Sequence, residues 1–238
     1  MRELGDMWTR YDVEWRFVCR LCGSVPANPD LQKIWLESRQ PKTRPEEGRG
    51  LEELGEEVEG STEEVQSEEQ GLYVFQRQHV EGLDGLVMRA GTVRAHIKEC
   101  SRTLSGMYFK KVEKGSGDKS FAVRALNAVY YPVEQYWIPI LGQGDGGQVK
   151  EASGTHDKPI QVKTQRGPRS ALKTYEYIEN AMMKFQLAIM TQAGGRLVVS
   201  EEELGQVFNY GGVHGYGGER GDGEGRYVWK LTRAGDEH

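Results

Sequence analysis

The stretch richest in possible chemistry is Tyr210–Tyr227. Eight glycines (Gly211, Gly212, Gly215, Gly217, Gly218, Gly221, Gly223 and Gly225) fall within the sixteen residues 210–225. Ordering so many glycines costs backbone entropy, and a plain hairpin does not need them. Close approach of the backbone to a ligand, or several left-handed positions, would account for them. Successive amides in such a loop form a concavity that takes an anion. Arg220 and Arg226 add positive charge, and Tyr210, His214 and Tyr216 offer ring faces on which bases stack. A cluster of structural turns, with the tyrosines packed inward, is the competing reading. A P-loop is excluded because no Gly-Lys-Ser/Thr follows the glycines. A dinucleotide fingerprint is excluded because the segment follows a helix and precedes a strand.

Other cations recur in separate segments. Gly91–Lys98 reads as the start of a helix whose free amides can receive a phosphate. Arg94, Lys98 and Arg102 follow at four-residue spacing, on one face that can track a phosphate backbone. Lys163, Arg166, Arg169 and Lys173, with Gly167 and Pro168 among them, mark a basic patch at an exposed turn, and Lys110, Lys111 and Lys114 form another patch. Each also reads as ordinary solvated surface. No catalytic residue, metal site or cofactor is assigned. Cys19 and Cys22 make a C-x2-C pair with no second pair, and the histidines lack ligand spacing. No nucleophile-elbow, zincin or paired-acid motif occurs.

The charge distribution gives those cations weight. The chain has 238 residues and a formal net charge of −5. Residues 46–70 hold eleven glutamates and one arginine, a local charge of −10, so the remainder is about +5. Overall acidity argues against a nucleic-acid partner, and setting aside one acidic block reverses that sign. The block reads as a solvated insertion, disordered or a surface lid. The hydrophobic fraction is 37% and the mean hydropathy −0.66. No run of 18 apolar residues occurs, so no membrane span is expected. Three cysteines and an N-terminus without an apolar core fit a soluble protein of the reducing cytoplasm.

The elements that must position these residues follow from periodicity and punctuation. Strands are expected over 12–21, 72–78, 121–123, 128–133, 136–141, 158–164, 181–190 and 226–231, with 181–190 also rich in helix formers and read as strand on the alternation of Met183, Phe185, Leu187 and Ile189. Helices are expected over 31–38, 93–104 and 201–208, the last capped by Ser200 with Glu203 at the capping-box position. Residues 82–91 read as a glycine-marked connection, 143–155 as a mobile loop, 165–169 as the basic turn and 210–225 as a long loop. The boundaries expected are an N-terminal strand and helix to residue 40, the acidic insertion over 41–70, and the rest of the core over 71–238. No series of βαβ units emerges, so the fold class is α+β with an antiparallel sheet core, helices on one face and long insertions.

A glycine-rich loop after a helix, ending in Gly223-Glu224-Gly225-Arg226-Tyr227 and a final strand, resembles the RAMP superfamily of CRISPR effector proteins. Leu86–Arg94 looks like the glycine-to-arginine helix entry of that superfamily, here Gly91 to Arg94. The chain is also similar to uncharacterised bacteriophage proteins over 23–226. The resemblance implies a ferredoxin-like or RRM-like core and a glycine loop that contacts RNA or braces a neighbouring subunit. An acidic cleavage residue has no equivalent here, and His96 and His214 are the histidines an RNA-processing member could use. The expected function is single-stranded nucleic-acid binding, with RNA favoured over DNA, by a homo-oligomer or a subunit of a multiprotein complex. An assembly protein acting only through protein contacts, and an RNA-processing nuclease, are the alternatives.

Overall fold

The computed structural model describes residues 7–28, 71–80, 82–109, 120–130, 136–164, 167–192 and 195–234. The helix expected over 31–38, the acidic block over 41–70, Lys110, Lys111, Lys114 and Arg166 lie outside them. In chain order the elements begin with β1 (Trp8–Phe17), β2 (Leu21–Cys22), β3 (Val25–Pro26), β4 (Gly71–Val74), β5 (Gln76–Val80) and β6 (Leu83–Arg89). Next come α1 (Ala90–Met107), α2 (Phe121–Ala128), β7 (Val129–Tyr130), β8 (Trp137–Gly142), β9 (Gly154–Thr164) and β10 (Gly167–Ile178). The last are β11 (Ala181–Met190), α3 (Glu201–His214) and β12 (Tyr227–Arg233). No helix among the described residues is long and apolar enough to cross a membrane.

The chain divides into two compact units. The first combines Met1–Gly23, Phe75–Gly154 and Tyr177–His238, and the second combines Ser24–Val74 and Thr155–Glu176. In the first unit the strands lie in the order β12-β1-β11-β8-β6-β5, with β7 also paired to β11. The pairs are antiparallel. Taking β1, α1, β8, β11, α3 and β12 in turn gives βαββαβ with spatial order 4-1-3-2, the ferredoxin-like arrangement. The expected α+β class with helices over one sheet face is what the chain adopts.

Alternation sets that face. Tyr11, Val13, Trp15 and Phe17 are buried, while Arg10, Asp12 and Arg16 are exposed. On β11 the buried set is Met183, Phe185, Leu187 and Ile189, so both central strands turn their odd residues inward. Trp15 is the hub. Its ring stacks on Tyr227 at 4.3 Å and meets Phe185, Phe208 and His96 edge-on. The opposite face of the central strands is charged between Arg10 and Arg16. Glu14 pairs with Arg16 and Lys184, and Gln186 donates to Asp12. It offers no aromatic ring there, unlike a sheet that stacks bases.

The second unit is a smaller sheet. β3 pairs with β4, β4 runs parallel to β10, and β9 pairs with β10. Lys173 lies over the Tyr73 ring at 4.3 Å, and Thr174 donates to Asp157 at 2.6 Å.

Four expectations change. Residues 121–123 are helical, because Phe121, Ala125 and Ala128 recur with helical spacing and are the buried positions. Residues 83–89 are strand β6 rather than a connection. There Gly85 is needed because a Cβ would sit 2.4 Å from the Val149 carbonyl oxygen. Helix α3 runs on to His214, through the first five residues of the expected loop. The basic turn expected over 165–169 has given way to strand from Gly167.

Candidate nucleic-acid interface on the first helix and the glycine turn

Helix α1 forms because Val93, His96, Ile97, Cys100 and Leu104 repeat at three and four residues, and all five are buried. That leaves Arg94 and Arg102 exposed and Lys98 half-buried. The stripe does not face the glycine segment along its whole length. Arg94 and Lys98 turn towards α2, where Arg94 Nη2 donates to the Leu126 carbonyl at 3.4 Å. With Ser101 and Ala125 they line a cavity of about 10 Å³.

The C-terminal turn of α3 supplies the other side. Its start is fixed by the expected capping box: Ser200 Oγ accepts from the Glu203 amide, and Glu203 accepts from the Ser200 amide. Its end is fixed by β12. A Cβ on Gly211 would fall 2.4 Å from Tyr227 Oη, and one on Gly212 would fall 2.4 Å from the Tyr227 carbonyl oxygen. These two glycines therefore serve close packing. The turn they occupy presents Tyr210 and His214, both half-buried, with parallel rings 5.5 Å apart.

Glu99 joins this turn to α1. Its carboxylate accepts from Arg220 Nη1 at 2.8 Å and lies 3.3 Å from His214 Nε2. Burial raises the Glu99 carboxyl, but hydrogen bonds and charges from Arg220 and His214 outweigh it and hold the group below the usual range. Glu99, His214, Tyr210 and Arg220 thus form one surface, a ring pair and a guanidinium group around a single carboxylate, and the exposed Arg102 follows Glu99 by three residues on the helix.

Beneath it the titratable groups are buried and held in their neutral forms. His96 shares a hydrogen bond with Tyr227 Oη at 3.1 Å, and its pKa is lowered to about 3, chiefly by burial and then by Arg220. Burial likewise pushes the Cys100 thiol up to about 12. Among the described residues no cluster of three His, Cys, Asp or Glu side chains could hold a metal ion.

The glycine turn packs on its own chain. Gly218 N donates to the Cys22 carbonyl, Gly225 N to the Arg20 carbonyl, and Tyr216 N to the Gly225 carbonyl. Gly215, Gly217, Gly223 and Gly225 have φ between +71° and +90°. A Cβ on Gly218 would lie 2.4 Å from the Gly23 carbonyl oxygen, and one on Gly225 would lie 1.9 Å from that of Tyr216. Gly221 alone in this turn has open space around it. Tyr216 corrects an expectation. It is 3% exposed, its ring meets Trp15 edge-on at 5.4 Å, and its hydroxyl bonds Thr92 Oγ1 at 2.5 Å. It offers no face for a base, and burial raises its phenol pKa.

The remaining candidates are dispersed. Arg226 is exposed but lines a groove beside β12. Lys163 and Arg169 lie in β9 and β10 of the second unit. Glu99, the organiser of the surface, was not among the candidates. Its place three residues before Arg102 on the helix is the only signal the sequence carried.

No protein-family model and no curated protein matches the chain. Among solved structures, the chain is similar to a chain of the cryo-EM structure of the Type III-B Cmr-beta bound to cognate target RNA. The TM-score is 0.40 and the identity 9%, over 97% of this chain and 62% of that one. This chain therefore spans less than two thirds of that chain's length. A chain of a Type IV-B CRISPR complex is similar at TM-score 0.45 and 8% identity, over 96% of this chain and 92% of that one.

Proposed function

We propose that this protein binds single-stranded nucleic acid, RNA by preference, as a subunit of a larger RAMP-like assembly. The observation that carries the reading is the half-exposed Tyr210–His214 ring pair joined through Glu99 to Arg220 on the surface of the ferredoxin-like unit, with the exposed Arg102 one helical turn beyond Glu99. Rings accept any base, and the guanidinium groups attract the backbone without reading sequence. Arg94 and Lys98 turn towards α2 and are not part of this surface. The charged sheet face is not used, and Tyr216 contributes stability rather than stacking. The resemblance of the glycine segment to RAMP proteins supports the same reading.

The test is titration of labelled ssRNA and ssDNA against wild type, Tyr210→Ala and Arg102→Ala at several salt concentrations, with thermal melts alongside. Tyr210→Ala should weaken binding by about five-fold to a hundred-fold, since base stacking is worth about 1–3 kcal/mol. Arg102→Ala should lower the salt slope by nearly one unit across sequences. Binding of neither strand by wild type at low salt would replace this reading with that of an assembly protein.

A second reading rests on the Glu99–His214 pair. A histidine held by a carboxylate beside an arginine has the parts for acid–base cleavage of RNA. Cleavage lost in His214→Ala by a far larger factor than any loss of binding, and lost likewise in Glu99→Gln, would establish it.

A further inference from the structure

We propose that the groove between the C-terminal end of α3 and the outer edge of β12 receives an extended acidic strand of a partner protein, added to the sheet beside β12. The groove is open to solvent, has a volume of about 550 Å³ and is lined mainly by Val18, Phe208, Val213, Arg226, Val228 and Trp229. Val18 is 63% exposed, Val213 72% and Val228 55%, an unusual display of aliphatic side chains in one place. Val228 lies on one face of β12 and Trp229 on the other, so what is open is the strand's edge. Among the described residues no strand lies beyond β12.

Register shows which backbone groups that edge presents. The Val18 amide donates to the Arg226 carbonyl, and the Ala234 amide donates to the Arg10 carbonyl. In an antiparallel ladder hydrogen-bonded positions alternate, so the even residues of β12 face β1. Trp229, Leu231 and Arg233 then turn their amides and carbonyls outward, towards an added strand. The floor is already set. The Trp229 indole donates to Asn209 Oδ1 at 2.9 Å and its ring packs on Phe208 at 5.4 Å.

Charge decides the occupant. From Arg226 to Arg233 the edge carries Arg226, Lys230 and Arg233 and no acidic residue. A second copy pairing through the same strand would set cations against cations, which destabilises cross-strand pairs. A strand with acidic residues flanking aliphatic ones would meet the cations and bury the valines. Edge cations that only discourage aggregation are the alternative, and they would leave any strand unbound.

The probes are two labelled peptides, EVTVEVTVE and KVTVKVTVK, titrated by anisotropy against the full chain. The acidic peptide should bind saturably and the basic one should not. The double variant Val213→Glu with Val228→Glu should weaken the acidic peptide at least about tenfold. Both valines are exposed, so its melting temperature should hold. Amide exchange should slow at Trp229 and Leu231 when the acidic peptide is present. Equal binding of the two peptides, unaltered binding by the double variant, or no binding below about 1 mM would overturn the proposal. Concentration-dependent dimerisation abolished by the double variant would also overturn it, assigning the groove to a second copy. Nucleic-acid binding through Tyr210 and Arg102 is measured separately, so either result can fail without the other.

Discussion

Gly225 and Gly221 sit four residues apart in the same turn and should respond oppositely to alanine. At Gly225 the φ is +71°, and a Cβ would enter the Tyr216 carbonyl oxygen at 1.9 Å. Hydrogen bonds from Gly225 to Arg20 and from Tyr216 to Gly225 hold both partners in place. Gly225→Ala should therefore cost about 2 kcal/mol or more in urea unfolding. Gly221→Ala should stay within about 0.5 kcal/mol of wild type, and its nucleic-acid affinity should not change. A loss of binding in Gly221→Ala without a loss of stability would return the glycine turn to the role of a ligand loop. His96 gives a pH-dependent contrast. Burial lowers its folded pKa to about 3, below its ordinary value of 6.5. Above pH 6.5 both folded and unfolded states are neutral, and the full stability is present. As pH falls below 6.5 the unfolded chain takes up a proton that the folded chain refuses, so stability drops by about 1.4 kcal/mol per pH unit. Between pH 7 and 5, before the carboxylates titrate, wild type should lose about 2 kcal/mol more than His96→Gln. Parallel curves for the two proteins would contradict the buried, neutral imidazole.

At the scale of elements, Glu203 does two jobs at the start of α3. It closes the capping box with Ser200, and its carboxylate accepts from Arg124 Nη2 of α2 at 2.6 Å. Arg124 also donates to the Val198 carbonyl at 2.7 Å. Ser200→Ala should cost about 1 kcal/mol, as the loss of one cap does. Glu203→Ala should cost more, and a double-mutant cycle with Arg124→Ala should show coupling of about 0.5–3 kcal/mol. Additive effects in urea unfolding would mean the ion pair contributes nothing. This helix start was legible because a capping box is local, four residues read together. Strand β11 was legible for a related reason, since Met183, Phe185, Leu187 and Ile189 alternate without a break. What escaped depends on distant contacts. Phe121–Ala128 is only eight residues, too short for the spacing of Phe121, Ala125 and Ala128 to decide alone, and packing against α1 completes the choice of helix. Gly85 looked like punctuation because the Val149 carbonyl that requires it comes 64 residues later. Tyr216 looked like a free ring because Trp15, which buries it, lies at the other end of the chain. The interface shows the same limit: His214 and Arg220 were visible singly, and the Glu99 that joins them was not.

For the whole molecule the decisive quantity is the division of charge. Residues 46–70 carry −10 while the rest of the chain carries about +5. In the reading proposed above, the positive remainder attracts a phosphate backbone over a range set by the Debye length, about 10 Å at 0.1 M salt. In the same reading, eleven carboxylates tethered to the chain would compete for those cations and repel the incoming strand. Their removal changes the net charge from −5 to about +5, which reverses the sign of the long-range interaction with nucleic acid. A variant lacking 46–70 should therefore bind non-specific ssRNA more tightly than wild type at low salt. The two should converge as salt rises, because screening removes long-range repulsion before it removes direct contacts. The variant should also show a steeper dependence of log affinity on log salt if the carboxylates occupy phosphate-binding cations in the intact protein, since each cation freed adds nearly one unit of slope. Repulsion at a distance alone would raise affinity at low salt without adding that increment. Titration of both proteins from low to moderate salt separates the two mechanisms. Equal affinity at every salt concentration would show that the acidic block acts on something other than the nucleic-acid surface.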